Sequence, residues 1–374
     1  MKRKRVPLAN YVTEYSVRNK SNENIPVYSV TNSQGFCTDY FDKEVASKDK
    51  KTYKVVPRGY FAYNPSRINV GSVDWQKIEE KVIVSPLYNV FSVSENMEQQ
   101  YLYYFLKSDI GKQMIKTKVF GSVRDNLKIE MLKEMTIPER TVEEQKKCVS
   151  ILDTLQRMIS LRTKELAELD MLNRARFVEI FEAIKETCNV DYYIKGLIAG
   201  KSLASEVECK NKVLKTGAAS FDYFDESQVK NLPLNYEPKE EHLVHKGDII
   251  ISRMNTAELT GAAAYVWKVS DNVYVPDRLW KAVIRDGVNP IFLWNMLIQP
   301  STKEQIQKVC SGTSGSMKNI SKSGMLGIRV KKVDVYLQNK FATFVEEVNK
   351  SKVVSQHTTS NPYIQNLNFA VKWL

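Results

Sequence analysis

No run of about 18 consecutive apolar residues occurs in the sequence, so no transmembrane helix is predicted. The first residues, MKRKRVPLANYV, are basic with no apolar stretch behind them, and they do not read as a secretory signal. Five cysteines occur, Cys37, Cys148, Cys188, Cys209 and Cys310. They are odd in number, far apart and form no CxxC pair, so neither a metal site nor a disulfide framework is expected. Reduced thiols in a cytoplasmic protein are the plain reading. Catalytic signatures are also missing. There is no GxGxxG and no P-loop. The segment NPYI at 361–364 lacks the second proline of an adenine methyltransferase motif. Glu208-Cys209-Lys210 has nuclease-like spacing but no Pro-Asp placed before it, and reads as an exposed strand or loop. His242 and His245 form an HxxH without a carboxylate ligand pattern, and read as a surface turn. A chain that is not itself an enzyme and binds no cofactor of its own is the expectation.

The composition is that of an ordinary globular protein. Of 374 residues, 43% are apolar and 26% charged, which is enough for two cores. The net charge of +12 favours an anionic partner, and nucleic acid is the commonest one.

Texture changes along the chain mark its organisation. Residues 1–140 read as a mixed domain, with strand-like runs IPVYSVT, YFAYNP and KVIVSPLYNVFSV and one helical segment, MEQQYLYYFLKSDIGKQMIK. Residues 141–184 contain no Gly and no Pro. Within them Cys148, Leu152, Leu155, Ile159, Leu166 and Leu169 recur at helical spacing. That pattern predicts one helix of roughly 65 Å, too long to bury its stripe in a single small domain. It calls for a partner helix alongside, as in a coiled coil. Thr141 and Glu144 form a capping box at its start. Residues 187–333 return to mixed texture, and a second helix is predicted from Asp334, with Phe341, Val345 and Val348 in its stripe.

The second domain echoes the first. At a spacing of 193 residues Ile137 falls on Val330, Thr141 on Asp334, Gln145 on Gln338, and Cys148, Leu152 and Leu155 on Phe341, Val345 and Val348. YLYYFL matches FLWNML with a two-residue shift, and Arg58-Gly59 has an echo in Lys246-Gly247. A period this long indicates duplicated domains rather than a solenoid. The expected fold is α+β: two similar mixed α/β domains separated by long antiparallel coiled-coil spacer helices in a pseudo-twofold arrangement. Carried further, the same register puts Lys352, Thr359 and Pro362 on stripe positions. The second helix, 334–355, is therefore expected to be short, ending near Val354 after about 30 Å, with 356–374 an atypical tail.

Two junction texts carry a family resemblance, GSVRDNLKIEMLKEMTIPERTVEEQKKCVSILDTL and GTSGSMKNISKSGMLGIRVKKV with LQNKFATFVEEVNKSK. Together with YFAYNPSRINVGSV and KGDIIISRMNTAELTGAAAYV, the chain resembles the DNA-specificity subunit of type I restriction–modification systems over about residues 1–355. The resemblance implies a non-catalytic adaptor with two target-recognition domains, at 1–140 and 187–333, and a first spacer helix at 141–186. Each domain would read one half of a bipartite site on double-stranded DNA. The methyltransferase subunits would supply S-adenosylmethionine chemistry. The restriction subunit would supply ATP-driven and magnesium-dependent work. The other readings are a protein-only coiled-coil scaffold and a single-chain DNA modification enzyme.

Base and phosphate readout needs polar and basic groups on loops. The first domain offers Asn64, Ser66, Arg67 and Asn69, then Ser122, Arg124, Asn126 and Lys128. The second offers Ser252, Arg253, Asn255 and Thr256, then Arg278 and Lys281, then Lys318 and Asn319. The alternative for each is a solvated loop residue or a turn cap. Asn126 and Asn319 also suit a structural part in the loop before the last strand. Tyr103, Tyr104 and Trp294 read as helix core.

Overall fold

The computed structural model describes residues 3–38, 49–119, 126–312 and 317–359, with side chains as far as Lys352. They divide into two compact units with boundaries at Thr163/Lys164 and Ser355/Gln356.

In unit 1 the ends of the mixed domain are tied together. Strand β1 (Arg5–Pro7) pairs antiparallel with β6 (Thr136–Pro138), Val6 opposite Ile137. Between them β2 (Val12–Glu14), β3 (Phe61–Tyr63), β4 (Val73–Trp75) and β5 (Asn89–Val93) form an antiparallel sheet in the order β2-β5-β3-β4. Its central strand puts Phe61 opposite both Trp75 and Phe91, and the Phe61 and Phe91 rings stack at 4.9 Å. Helices α1 (Gln99–Lys107), α2 (Asp109–Val119) and α3 (Ile129–Lys133) supply Leu102, Leu106, Ile115 and Leu132 to the same core. Peripheral ladders join Ser29–Thr31 to Gly35–Cys37 and Lys54–Pro57 to Lys81–Val84.

The single helical segment read over 97–116 is two helices. At Ser108 the backbone turns extended, with ψ 160°. The Ser108 hydroxyl donates to Phe105 O (2.6 Å) and accepts from Gly111 N (3.0 Å), replacing helical bonds at the break. A β-carbon at position 111 would come within 2.1 Å of Phe105 O, so glycine is required for α2 to start so close to the end of α1.

The long helix α4 is Val142–Phe181, 40 residues or about 60 Å. Its capping box is formed: Thr141 Oγ1 accepts from Glu144 N (3.3 Å) and Glu144 Oε2 accepts from Thr141 N (3.0 Å). Residues 142–163 belong to unit 1 and 164–181 to unit 2. Along it Cys148 and Leu152 are buried and Leu155, Ile159, Leu166 and Leu169 are half-buried, at alternating steps of three and four or seven. Almost all intervening positions are exposed.

Unit 2 repeats the element order. Strand β7 (Thr187–Asn189) pairs antiparallel with β12 (Arg329–Lys331). Strands β8 (Ile194–Ile198), β9 (Ile249–Ser252), β10 (Ala263–Tyr265) and β11 (Leu279–Ile284) form a sheet ordered β8-β11-β9-β10. Helices α5 (Pro290–Leu297), α6 (Pro300–Val309) and α7 (Lys322–Leu326) follow, with Pro300 at the break as the sequence suggests. Individual backbone bonds recur. Leu8 N donates to Met135 O (2.7 Å) and Val190 N to Ile328 O (2.9 Å). Leu127 N donates to Pro65 O (3.1 Å) and Ile320 N to Arg253 O (3.2 Å). Gly59 (φ +86°) and Gly247 (φ +98°), the pair that echoes in the sequence, occupy the same turn. Gly59 N donates to Gln76 O and Gly247 N to Val266 O. The numerical offset between partners grows along the chain because unit 2 has extra residues in its loops, which leaves the sheet register intact.

Helix α8 spans Val335–Thr359, and Asp334 Oδ1 caps it by accepting from Leu337 N (3.0 Å). Its backbone stays helical past the expected stop near Val354. Residues 355–359, SQHTT, contain no helix breaker, and Pro362 constrains only the residue before it. Within unit 2, Phe341 lies 5.4 Å from both Phe177 and Phe181, and the Arg176 guanidinium stands 5.6 Å from the Phe344 ring. Lys352 Nζ pairs with Asp170. Contacts on one helix descend as those on the other climb, so α8 and residues 164–181 of α4 run antiparallel. Lys352, read as a break in the stripe, keeps its side chain only 14% exposed by reaching Asp170.

Candidate nucleic-acid interface

In unit 1 the turn after β3 is shaped by its own side chains. Asn64 Oδ1 accepts from Ser66 N (3.1 Å) and Ser66 Oγ (2.9 Å), and Gly71 closes the turn at φ +102°. Ser66, Arg67 and Asn69 are exposed, and Asn64 is half-buried. The bond from Leu127 N to Pro65 O brings Asn126 and Lys128 beside this turn. Below it Tyr63 Oη donates to Leu127 O (3.0 Å), and Asn89 Nδ2 donates to Tyr63 Oη (2.9 Å). Burial holds the Tyr63 phenol well above its usual pKa, so it remains a donor at neutral pH. Lys128 is exposed at the start of α3. Ser122 and Arg124 lie outside the described residues.

The matching edge of unit 2 is built differently. Met254–Asn255 pairs antiparallel with Lys318–Asn319, which joins two of the sequence-predicted segments. Arg253 N donates to Arg278 O (3.0 Å), which brings in the third. The Arg253 guanidinium lies 5.7 Å from the Trp280 ring centroid, and Arg253 Nη1 donates to Asp277 O (3.5 Å). Arg253 Nε, Trp280 Nε1 and Asn319 Oδ1 are buried without a hydrogen-bond partner among the described residues. Trp280 is the element of this edge that the sequence reading passed over; its place directly before Lys281, in text already singled out, was the available signal.

Several predicted contact residues prove to be fasteners. Ser252 is fully buried at the end of β9 and corrects the expectation of a surface contact. Asn255 turns inward, its Nδ2 donating to Ser220 Oγ (3.1 Å), because the strand pairing of Met254–Asn255 fixes its side. Lys281 Nζ donates to Leu243 O (2.6 Å), and Lys318 Nζ to Gly312 O (2.6 Å). Each of these ammonium groups holds a loop carbonyl. Asp277 accepts from Ser202 Oγ, and Arg278 beside it is exposed. Outward-reaching candidates are therefore Ser66, Arg67, Asn69 and Lys128 in unit 1, and Thr256 and Arg278 with half-buried Arg253 in unit 2.

Tyr104 and Trp294 are buried and Tyr103 half-buried, as helix packing requires. His242, read as part of a surface turn, is buried, and desolvation holds its imidazole below the ordinary pKa. Among the described residues no group of three or more His, Cys, Asp or Glu side chains could hold a metal ion. None of their helices is long and apolar enough to cross a membrane.

Residues 7–171 match the family model described as Type I restriction modification DNA specificity domain. The Type I restriction enzyme EcoEI specificity subunit of Escherichia coli is 25% identical over 171 residues. That alignment takes in 44% of this chain and 29% of the relative, so the match spans less than a third of the relative's length. Two solved structures share the fold over 99% of this chain. One comes from work on complex assembly and conformational transition of the type I R-M system (TM-score 0.55, 15% identity, 97% of that chain covered). The other is the type I restriction–modification S subunit from M. genitalium (TM-score 0.55, 13% identity, 96% covered). Residues 7–171 thus resemble a type I restriction modification DNA specificity domain, and the fold of the chain is shared along nearly its whole length with that S subunit.

Proposed function

We propose that this chain is the DNA-reading, non-catalytic subunit of a type I restriction–modification complex. The observation that carries this reading is the duplicated register: two units with one sheet order, one pattern of backbone bonds and one exit helix each. DNA presents equivalent groove edges at regular spacing, so a repeated reader suits a bipartite target. Helices α4 and α8 would act as paired coiled-coil spacers that set the gap between half-sites and seat the methyltransferase subunits. S-adenosylmethionine, ATP and magnesium would be handled by the methyltransferase and restriction subunits, in the cytoplasm.

On this reading Arg67 and Arg253 take up similar positions relative to their sheets, each on the turn after the central strand. Arg253 is stiffened by Trp280 and offers a guanidinium fork suited to a guanine edge or a phosphate. Arg278 and Lys128 supply positive potential nearby. The test is genome-wide mapping of methylated adenines in cells carrying the partner methyltransferase, with and without this chain. A bipartite motif that appears only with the chain supports the reading, and an unchanged map rejects it.

Single substitutions divide the labour. Arg253→Ala in the complex is expected to cost about 1–3 kcal/mol of specific binding and to relax selection in one half-site only. Lys128→Ala is expected to weaken all sequences alike and to lower the salt dependence of binding by about one phosphate contact. Equilibrium binding of matched and half-mismatched duplexes at several salt concentrations distinguishes the two. Equal losses on both duplexes for Arg253→Ala would count against a reading role.

A further inference from the structure

In unit 2 both the backbone and the side chain of Arg253 are held. Its N donates to Arg278 O (3.0 Å), and its O accepts from Ile320 N (3.2 Å). Its guanidinium lies 5.7 Å from the Trp280 ring centroid, and Nη1 donates to Asp277 O (3.5 Å). Trp280 is 1% exposed and stands on β11 opposite Ile251, on the strand that leads into Arg253. This clamp leaves bonds unmade. Arg253 Nε and Trp280 Nε1 are buried donors without a partner among the described residues. The same holds for the acceptor Asn319 Oδ1, on the strand that pairs with Met254–Asn255. Each unmade bond lowers stability.

Unit 1 closes the corresponding place with hydrogen bonds. Asn89 stands opposite Tyr63 of β3 as Trp280 stands opposite Ile251 of β9. Asn89 Nδ2 donates to Tyr63 Oη (2.9 Å), which in turn donates to Leu127 O (3.0 Å). Pro65 O accepts from Leu127 N just as Arg253 O accepts from Ile320 N. At these two positions proline and asparagine satisfy the architecture, so the fold requires neither the arginine nor the indole. Buried donors left unpaired where a satisfied solution exists are the mark of a site kept for contact rather than for stability.

The form of the clamp decides what Arg253 meets. A phosphate accepts hydrogen bonds from many directions, and an exposed side chain such as Arg278 serves it without being fixed. A guanidinium stacked on an indole has its plane set in advance. Arg253 is half-buried, so part of its fork stays open to a ligand. A planar fork of donors with no acceptor matches two neighbouring acceptors, and guanine presents such a pair, N7 and O6, in the major groove. Adenine pairs its N7 with an amino donor, which the fork cannot satisfy. Asp277, exposed and joined to the guanidinium through its own carbonyl, adds a carboxylate that a phosphate at this spot would meet unfavourably.

We propose that Trp280 is a positioning residue that fixes Arg253 to read one guanine in the half-site of unit 2; this rests on the function proposed above. The test uses the complete methyltransferase complex and duplexes carrying the bipartite motif found by methylation mapping, with each base pair replaced in turn by the other three. The wild-type complex is expected to prefer guanine at one position by about 10–100-fold. Placing 7-deazaguanine there, which lacks the N7 acceptor, is expected to weaken binding about 3–10-fold. Arg253→Lys keeps the charge and loses the fork, so that preference is expected to fall below about threefold while salt-sensitive binding to all duplexes is retained. Trp280→Phe is expected to lower the same preference about 3–10-fold in the wild-type chain and to leave it unchanged in the Arg253→Lys chain, because the indole acts through the arginine. A purely structural indole would carry its loss into both backgrounds and into every position of the motif, and that result overturns the proposal. Arg253→Lys leaves the core intact and decides the matter even where Trp280→Phe folds poorly. A motif with no guanine sensitive to Arg253→Lys overturns the assignment, and equal weakening on all duplexes makes Arg253 a phosphate contact and overturns it too. Absence of any motif that depends on the chain removes the functional reading itself, and the guanine contact with it.

Discussion

Phe341→Ala is expected to destabilise unit 2 by about 3–5 kcal/mol, the cost of emptying a closed aromatic site. Phe341 is fully buried and meets Phe177 and Phe181 at 5.4 Å each, while Phe292 meets Phe181 at 5.3 Å. The surrounding rings come from α4 and α5, so no single element can shift to fill the space. The lost contact also unfastens α8 from residues 164–181 of α4. Its equivalent in unit 1, Cys148, is small, although it too is buried in its unit's core. Cys148→Ala is accordingly expected to cost a fraction as much. Urea unfolding followed by hydrogen exchange, resolved for each unit, is the measurement. Protection should fall across 164–355 and stay near wild type in the β1–β6 sheets. A cost below about 1 kcal/mol would mean that the site collapses freely and that the ring cluster is not what holds α8.

The repeat was legible because it lies in local chemistry. Thr141 with Glu144, and Asp334, are helix starts that short-range hydrogen bonding dictates, and both form. The stripe from Cys148 to Leu169 follows from helical periodicity, and the alternation of buried, half-buried and exposed positions agrees with it. The division of 97–116 was not legible. Apolar spacing runs on through Ser108, and only the approach of Gly111 to Phe105 O shows that the chain must turn there. Helix α8 outlasts its apolar stripe because backbone propensity continues until a breaker intervenes.

The candidate contact residues were legible as neighbourhoods and not as roles. Segments 64–69 and 126–128 do meet, as do 252–255, 278 and 318–319. Composition cannot say which side of a strand a polar group takes. Ser252 and Asn255 fall on the inner side through the register of β9 and of Met254–Asn255, which long-range pairing sets. Lys281 and Lys318 are captured by carbonyls 38 and 6 residues away, and nothing in their immediate sequence announces this. Arg253 depends on Trp280, which comes from a different strand of the sheet.

The second large effect tests the repeat as an energetic unit. Gln145 and Gln338 are buried equivalents at the first turn of their helices, 1% and 2% exposed. Gln145 Oε1 accepts from Glu98 N (2.8 Å), while its Nε2 donates to Asn96 O (2.9 Å) and Arg140 O (3.1 Å). Gln338 Oε1 accepts from Asn289 N (3.0 Å), and its Nε2 donates to Val333 O (2.8 Å). In both units one amide therefore bolts the exit helix to the residue that caps the first core helix. Replacing either glutamine by leucine keeps volume but leaves a buried N–H and at least one carbonyl unpaired, an expected cost of about 2–4 kcal/mol in its own unit. Gln338→Glu adds a pH signature. A buried carboxylate facing Val333 O is favourable only when protonated, so its folded pKa rises above the unfolded value of about 4.3. The folded state then binds more protons, and stability falls as pH rises through that value, by up to about 1.4 kcal/mol per pH unit until the folded pKa is passed. Gln145→Glu should behave alike, with a larger total loss spread over a wider pH range because two carbonyls face its side chain. Denaturant midpoints of the two variants between pH 4 and 8 decide the matter. Flat profiles, or a loss in one unit without the other, would mean that the shared geometry is not a shared source of stability.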